Sequence, residues 1–149
     1  MQKVKPIIST PKFEIFKADI VTEILLPYIG TLRAGFPSPA DDFTGERIDL
    51  NRLIIRNPEA TYFARAKGSS MHKDFLEDDL LVIDSSLEYS NNNIAMIFID
   101  GDFTTKRIKK TKNKCVLLSS NEDYPNIEIN EDSKNLIFGI ITWSFRKHV

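Results

Sequence analysis

A chain of 149 residues, 42% hydrophobic and 28% charged, is long enough for one domain with a single core and an appended arm. Twenty basic residues against 21 acidic ones leave a formal net charge of -1, which argues against a protein that binds nucleic acid directly through its phosphates. One cysteine (Cys115) excludes an internal disulfide, and two histidines far apart (His72 and His148) exclude the usual metal motifs, so no metal and no cofactor are expected.

In chain order, the first 40 residues differ from the rest. Phe13, Ile15 and Phe16, then Ile20, Val21, Ile24, Leu25 and Leu26, supply apolar contacts, while Pro11 and Pro27 interrupt any regular element. The stretch from Arg33 to Ala40 carries Gly35, Pro37 and Pro39, and two prolines one residue apart hold such a segment extended. Residues 1–40 therefore read as an arm draped over a domain of residues 41–149, outside that domain's core. Asp49 is placed to cap a short helix with Leu50, Leu53 and Ile54 on one face, ended by Asn57-Pro58.

From there the signals are β. Strands are expected at Thr61 to Ala66, Leu80 to Asp84, Ile94 to Asp100, Phe103 to Ile108, Cys115 to Leu118, Ile127 to Ile129 and Leu136 to Phe145. Asp100-Gly101 between the third and fourth is a hairpin turn signal. About seven short strands at this spacing indicate a mostly β domain, a small curved antiparallel sheet with a barrel-like tendency. The last strand is the longest apolar stretch and is far short of the ~20 residues that cross a bilayer. With no secretory pattern at the N-terminus, the chain reads as cytoplasmic and without a membrane partner.

Three features carry chemistry: Gly68-Ser69-Ser70-Met71, the hairpin Gly101-Asp102-Phe103-Thr104-Thr105-Lys106, and Ala34-Gly35-Phe36-Pro37-Ser38-Pro39. Alone, each has a bland reading: a turn serine, the start of a solvated basic run, a plain linker. Strand alternation puts Lys106 on the face of Thr104 and Ile108, which hints at burial. Cys115 opens an apolar strand and reads as a small buried hydrophobe. Trp143 and Phe145 read as core or dimer-contact residues. His72 is close to Ser70 in sequence, but no third residue that would orient it is identifiable.

Taken together, these features resemble the LexA/UmuD family of self-cleaving serine peptidases. The match runs from about Ala34 to Trp143 and is carried by Gly35-Phe36-Pro37-Ser38-Pro39-Ala40, Arg47-Ile48-Asp49-Leu50-Asn51, Ala60-Thr61-Tyr62-Phe63, Gly68-Ser69-Ser70-Met71, Asp79-Leu80-Leu81-Val82-Ile83-Asp84 and the Asp100 to Lys106 hairpin. The resemblance implies Ser70 as nucleophile, Lys106 as its general base, backbone N–H groups of Ser69 and Ser70 as an oxyanion hole, and Ala34–Gly35 as the bond cut. A lysine takes a proton only when neutral, so its pKa must be pushed down by burial or nearby positive charge; Arg107 and the Ile108 face are the expected contributors. One departure is the glycine-poor stretch Met71 to Asp79, where Asp78 stands in place of a glycine and requires an Asx-type or left-handed turn.

Only 34 residues precede the scissile bond, too few for a helix-turn-helix domain, so no sequence-specific DNA binding is expected. By resemblance, a RecA–single-strand DNA filament stimulates the cut during the DNA-damage (SOS) response. The shortened homodimeric product then serves as an accessory subunit of an error-prone Y-family translesion DNA polymerase. Competing readings are a non-catalytic polymerase-regulating module of the same fold, a peptidase acting in trans, and a repressor fragment lacking its DNA-binding half.

Overall fold

A computed structural model describes residues 5–18, 25–27, 47–67, 74–119, 126–130 and 136–149. Eleven strands occur among them: β1 (Ile8–Ser9), β2 (Phe13–Lys17), β3 (Leu25–Pro27), β4 (Arg47–Asp49), β5 (Thr61–Ala66), β6 (Leu80–Asp84), β7 (Ile94–Ile99), β8 (Asp102–Lys110), β9 (Cys115–Leu118), β10 (Ile127–Glu128) and β11 (Ile137–Phe145). Among the described residues there are also a short helix, α1 (Leu50–Ile54), and a 3-10 turn at Pro58–Ala60. The fold is mostly β and antiparallel, as the strand spacing indicates.

The chain divides into two units, residues 1–18 with 57–149, and residues 19–56. In the smaller unit β3 pairs with β4, and Asp49 caps α1 by accepting from the backbone N–H groups of Asn51 and Arg52 at 3.0 and 3.3 Å. This is the cap expected from sequence; it satisfies two of the amide groups a helix start leaves without partners.

The larger unit is a nine-stranded sheet in the order β1-β2-β5-β6-β11-β7-β8-β9-β10, every neighbouring pair antiparallel. The β7–β8 turn is Asp100-Gly101 with φ of 52° and 76°. Both central residues at positive φ make a turn whose twist matches that of the strands it joins. Alternation along β7 sends Met96 to one apolar cluster, with Phe13, Ile15, Ala64, Phe75, Leu81, Ile83 and Phe103. It sends Ala95 and Ile97 to the other, with Ile108, Cys115, Leu117 and Ile140. The sheet is thus buried on both faces, which explains why β6 reads as a continuous apolar run and not as an alternating one.

The N-terminal stretch departs from the expected draped arm. β2 pairs along its whole length with β5, from Phe13↔Ala66 to Lys17↔Tyr62, and Phe13 and Ile15 are fully buried in the core. Pro11 does not break this element, because it falls in the tight turn between β1 and β2, where Phe13 donates its N–H to the Thr10 hydroxyl at 3.1 Å. The remainder of the expected arm lies outside the described residues, apart from β3.

Candidate active site

Lys106 sits in the middle of β8, opposite Ala95 of β7, with only 7% of its surface exposed. Its strand neighbours explain the burial. Thr104, Thr105 and Ile108 are themselves buried, and the face Lys106 shares with Ile108 is the one that carries Ala95 and Ile97. Burial holds the Lys106 pKa below the usual lysine range, and the positive charge of Lys12 lowers it further. Arg107, expected to help, is engaged elsewhere. It is exposed, donates to the Asn92 carbonyl oxygen at 3.0 Å and pairs with Asp74 at 3.6 Å. The cationic neighbour that matters comes instead from the β1–β2 turn.

The segment joining β5 to β6 is held at both ends. Lys67 donates its backbone N–H to the Lys12 carbonyl oxygen at 2.8 Å; Asp78 donates to Ala66 at 2.9 Å, and Ala66 donates to Asp79 at 3.0 Å. Asp78 is left-handed, with φ of 67°, the conformation required of an aspartate in a glycine's place. Next to it, Asp79 is buried, accepts from the Leu76 backbone N–H at 2.8 Å, and receives a two-pronged grip from Arg146, Nε to Oδ1 at 2.9 Å and Nη2 to Oδ2 at 2.7 Å. The Arg146 guanidinium holds the Asp79 carboxyl below the ordinary carboxylate range, against the opposing effect of burial. Asp74, four residues after Ser70, reaches β8 through Arg107. Together with Ile94, Thr105, Lys106, Leu118 and Ser119 these two line a cavity of about 180 Å³.

A buried, pKa-depressed lysine opening onto a cavity is a feature of general-base sites. The family is decided by comparison: residues 27–142 match the family model Peptidase S24-like. The chain belongs to the Peptidase S24-like family. Among curated relatives, Protein MucA of Salmonella typhimurium is 36% identical over 141 residues, covering 92% of this chain and 96% of the relative. Protein SamA of Salmonella typhimurium strain LT2 is 43% identical over 110 residues, 73% of this chain and 76% of the relative. The LexA repressor of Hahella chejuensis is 36% identical over 107 residues, 70% of this chain and 52% of the repressor. This S24 peptidase is a self-cleaving serine peptidase of the UmuD-like kind that serves SOS mutagenesis.

Of the residues singled out from the S24 sequence, Lys106 is placed as described. Ser69, Ser70, His72, Ala34 and Gly35 lie outside the described residues. Cys115 is buried, and burial pushes its thiol pKa up, in keeping with a structural role. Trp143 is 41% exposed and stacks on Phe145 with ring centroids 6.3 Å apart, so it is a surface residue and not part of the core. Among the described residues no three His, Cys, Asp or Glu side chains are grouped to hold a metal, and no helix is long and apolar enough to cross a membrane. Sequence reasoning missed Lys12, Asp79 and Arg146 as site-shaping residues. Asp79 followed by an apolar strand was visible, but its partner lies 67 residues away, beyond any local pattern.

Proposed function

We propose that Ser70 and Lys106 form the catalytic dyad of this peptidase and that its substrate is its own Ala34–Gly35 bond. The observation that carries this reading is the burial of Lys106 beside the cavity on β8, in a chain whose family cuts with an activated serine. Neutral Lys106 takes the Ser70 hydroxyl proton as Oγ attacks the Ala34 carbonyl carbon. Backbone N–H groups of Ser69 and Ser70 donate to the oxygen that becomes negative. The Lys106 ammonium then returns its proton to the Gly35 nitrogen as the peptide bond breaks, and one water hydrolyses the Ala34 ester from Ser70. Enzyme and substrate share one chain, so even a modest base gains from high effective concentration. The Asp74–Arg107 ion pair supports this reading, because it ties a residue four positions after Ser70 to the strand that carries Lys106.

The shortened product, residues 35–149, would act in the cytoplasm as a homodimeric accessory to a Y-family translesion polymerase, with a RecA–single-strand DNA filament as the stimulus for cutting. The relationship to MucA, SamA and ImpA supports these partners. The first test is intact mass of the chain after incubation at pH about 10, where lysine deprotonates without help. A fragment starting at Gly35, absent from Ser70→Ala and Lys106→Ala variants, is the expected result. A wild type left whole both at pH 10 and with activated RecA filament would overturn the dyad and favour a non-catalytic polymerase-binding module.

A further inference from the structure

Self-cleavage between Ala34 and Gly35 severs the chain beyond β2, yet β2 is not a loosely attached tail. Its five residues pair in continuous register with β5, and Ala18 extends the pairing by donating to the Thr61 carbonyl oxygen at 3.1 Å. Phe13 and Ile15 are fully buried among Ala64, Ala66, Phe75 and Leu81. Side chains tie the hairpin at both ends. Lys67 reaches the Ser9 hydroxyl at 3.0 Å and Glu14 at 3.4 Å, while Lys17 donates to the Glu59 carbonyl oxygen and lies over the Tyr62 ring at 4.3 Å. None of these contacts involves the Ala34–Gly35 bond, and breaking a peptide bond elsewhere removes none of them.

Resting on the cleavage site proposed above, we infer that the edge of β5 is a strand-binding site whose occupant is the chain's own cleaved segment, held after the cut as a non-covalent edge strand through residues 13–17. The freshly processed protein is then a complex of residues 1–34 with 35–149. Its recognition chemistry is that of strand addition, with main-chain hydrogen bonds for affinity and two apolar pockets, for Phe13 and Ile15, for register. The cut replaces an intramolecular contact by a bimolecular one, so retention depends on protein concentration where it did not before. An unoccupied β5 edge would present a row of unpaired main-chain groups beside an opened core, the kind of edge that native proteins cover.

The test uses the full chain with a sequence-specific protease site placed between Ala34 and Gly35, so that the cut is made whether or not the chain makes it. Denaturing mass confirms the cut, and native mass together with hydrogen exchange of the Thr61–Ala66 amides reads the outcome. The expected result at micromolar concentration is a complex of both pieces, with β5 amides exchanging at most a few-fold faster than in the uncut protein. In the cut Phe13→Ala variant the complex dissociates at protein concentrations at least 100-fold higher than for the wild-type pair. Residues 35–149 alone, with β5 amides exchanging orders of magnitude faster, would overturn the inference. A wild type that never cuts itself while the protease-cut chain keeps its fragment would remove the dyad and leave this site standing.

Discussion

The pH dependence of self-cleavage offers the sharpest test of Lys106 as the base. A lysine with the ordinary pKa of about 10.4 is neutral in roughly one molecule per thousand at pH 7.4. If Lys106 titrated like that, the cleavage rate would climb about 1000-fold between pH 7.4 and its alkaline plateau. Lys106 is instead 93% removed from solvent, and both burial and the Lys12 charge favour its neutral form. The rise is therefore expected to be smaller than 1000-fold, with its midpoint below pH 10.4. Lys12→Glu replaces a repelling charge with an attracting one; it should move the midpoint up, slow the cut at neutral pH and leave the plateau rate unchanged. The assay is the first-order appearance of residues 35–149 by mass from pH 6 to 11. Stability gives an independent reading of the same titration. Because the folded-state pKa is depressed, the unfolded chain binds more protons in the window between the folded value and about 10.4, so the melting temperature gains a contribution that rises with pH there. A rate midpoint at or above the ordinary lysine value, or a profile indifferent to Lys12→Glu, would refute the assignment of burial and Lys12 as what activates the base.

Other predictions concern the frame around the site. Phe13→Ala should cost about 3–5 kcal/mol in urea denaturation, because a fully buried ring leaves a cavity, whereas Phe16→Ala, on the partly exposed side of the same strand, should cost much less. Gly139→Ala should cost about 1–3 kcal/mol by overpacking, since a methyl there would stand 2.6 Å from Ile83 Cγ2 and 3.0 Å from the Asp84 carbonyl oxygen. Asp79→Asn should flatten the acid limb of the stability curve. The carboxyl's depressed pKa means its contribution is complete above the unfolded value near 4 and fades as pH falls through the folded one, which thermal melts at pH 2–6 would show.

Local chemistry made β5, β6 and β9 legible with their observed bounds and located the start of α1 at its Asp49 cap, because caps, turn residues and short apolar runs are read within a few positions. The β1–β2 hairpin was not, since a proline in a two-stranded turn looks in sequence like a proline that breaks an element. Even so, the Phe13 and Ile15 alternation was there to be seen. For the site, strand alternation gave a correct hint that Lys106 is buried, while the roles proposed for it and for Ser70, Ala34 and Gly35 come through family resemblance. Lys12 beside Lys106 and Arg146 on Asp79 join residues 94 and 67 positions apart, and only the completed sheet brings them together.

That sheet is assembled out of order. β6, which follows the Ser70 segment, pairs with β5 and β11, and β7, which leads to Lys106, pairs with β8 and β11. β11, the last of the described strands, is thus the seam between the half that carries the proposed nucleophile and the half that carries its proposed base. While the protein is being made, residues 137–145 leave the ribosome after everything they must join, and until then the two halves have no common hydrogen-bonded partner among the described strands. Until β11 is in place, the strand that follows the Ser70 segment and the strand that carries Lys106 share no sheet, so the assembly of the proposed site waits on residues 137–145.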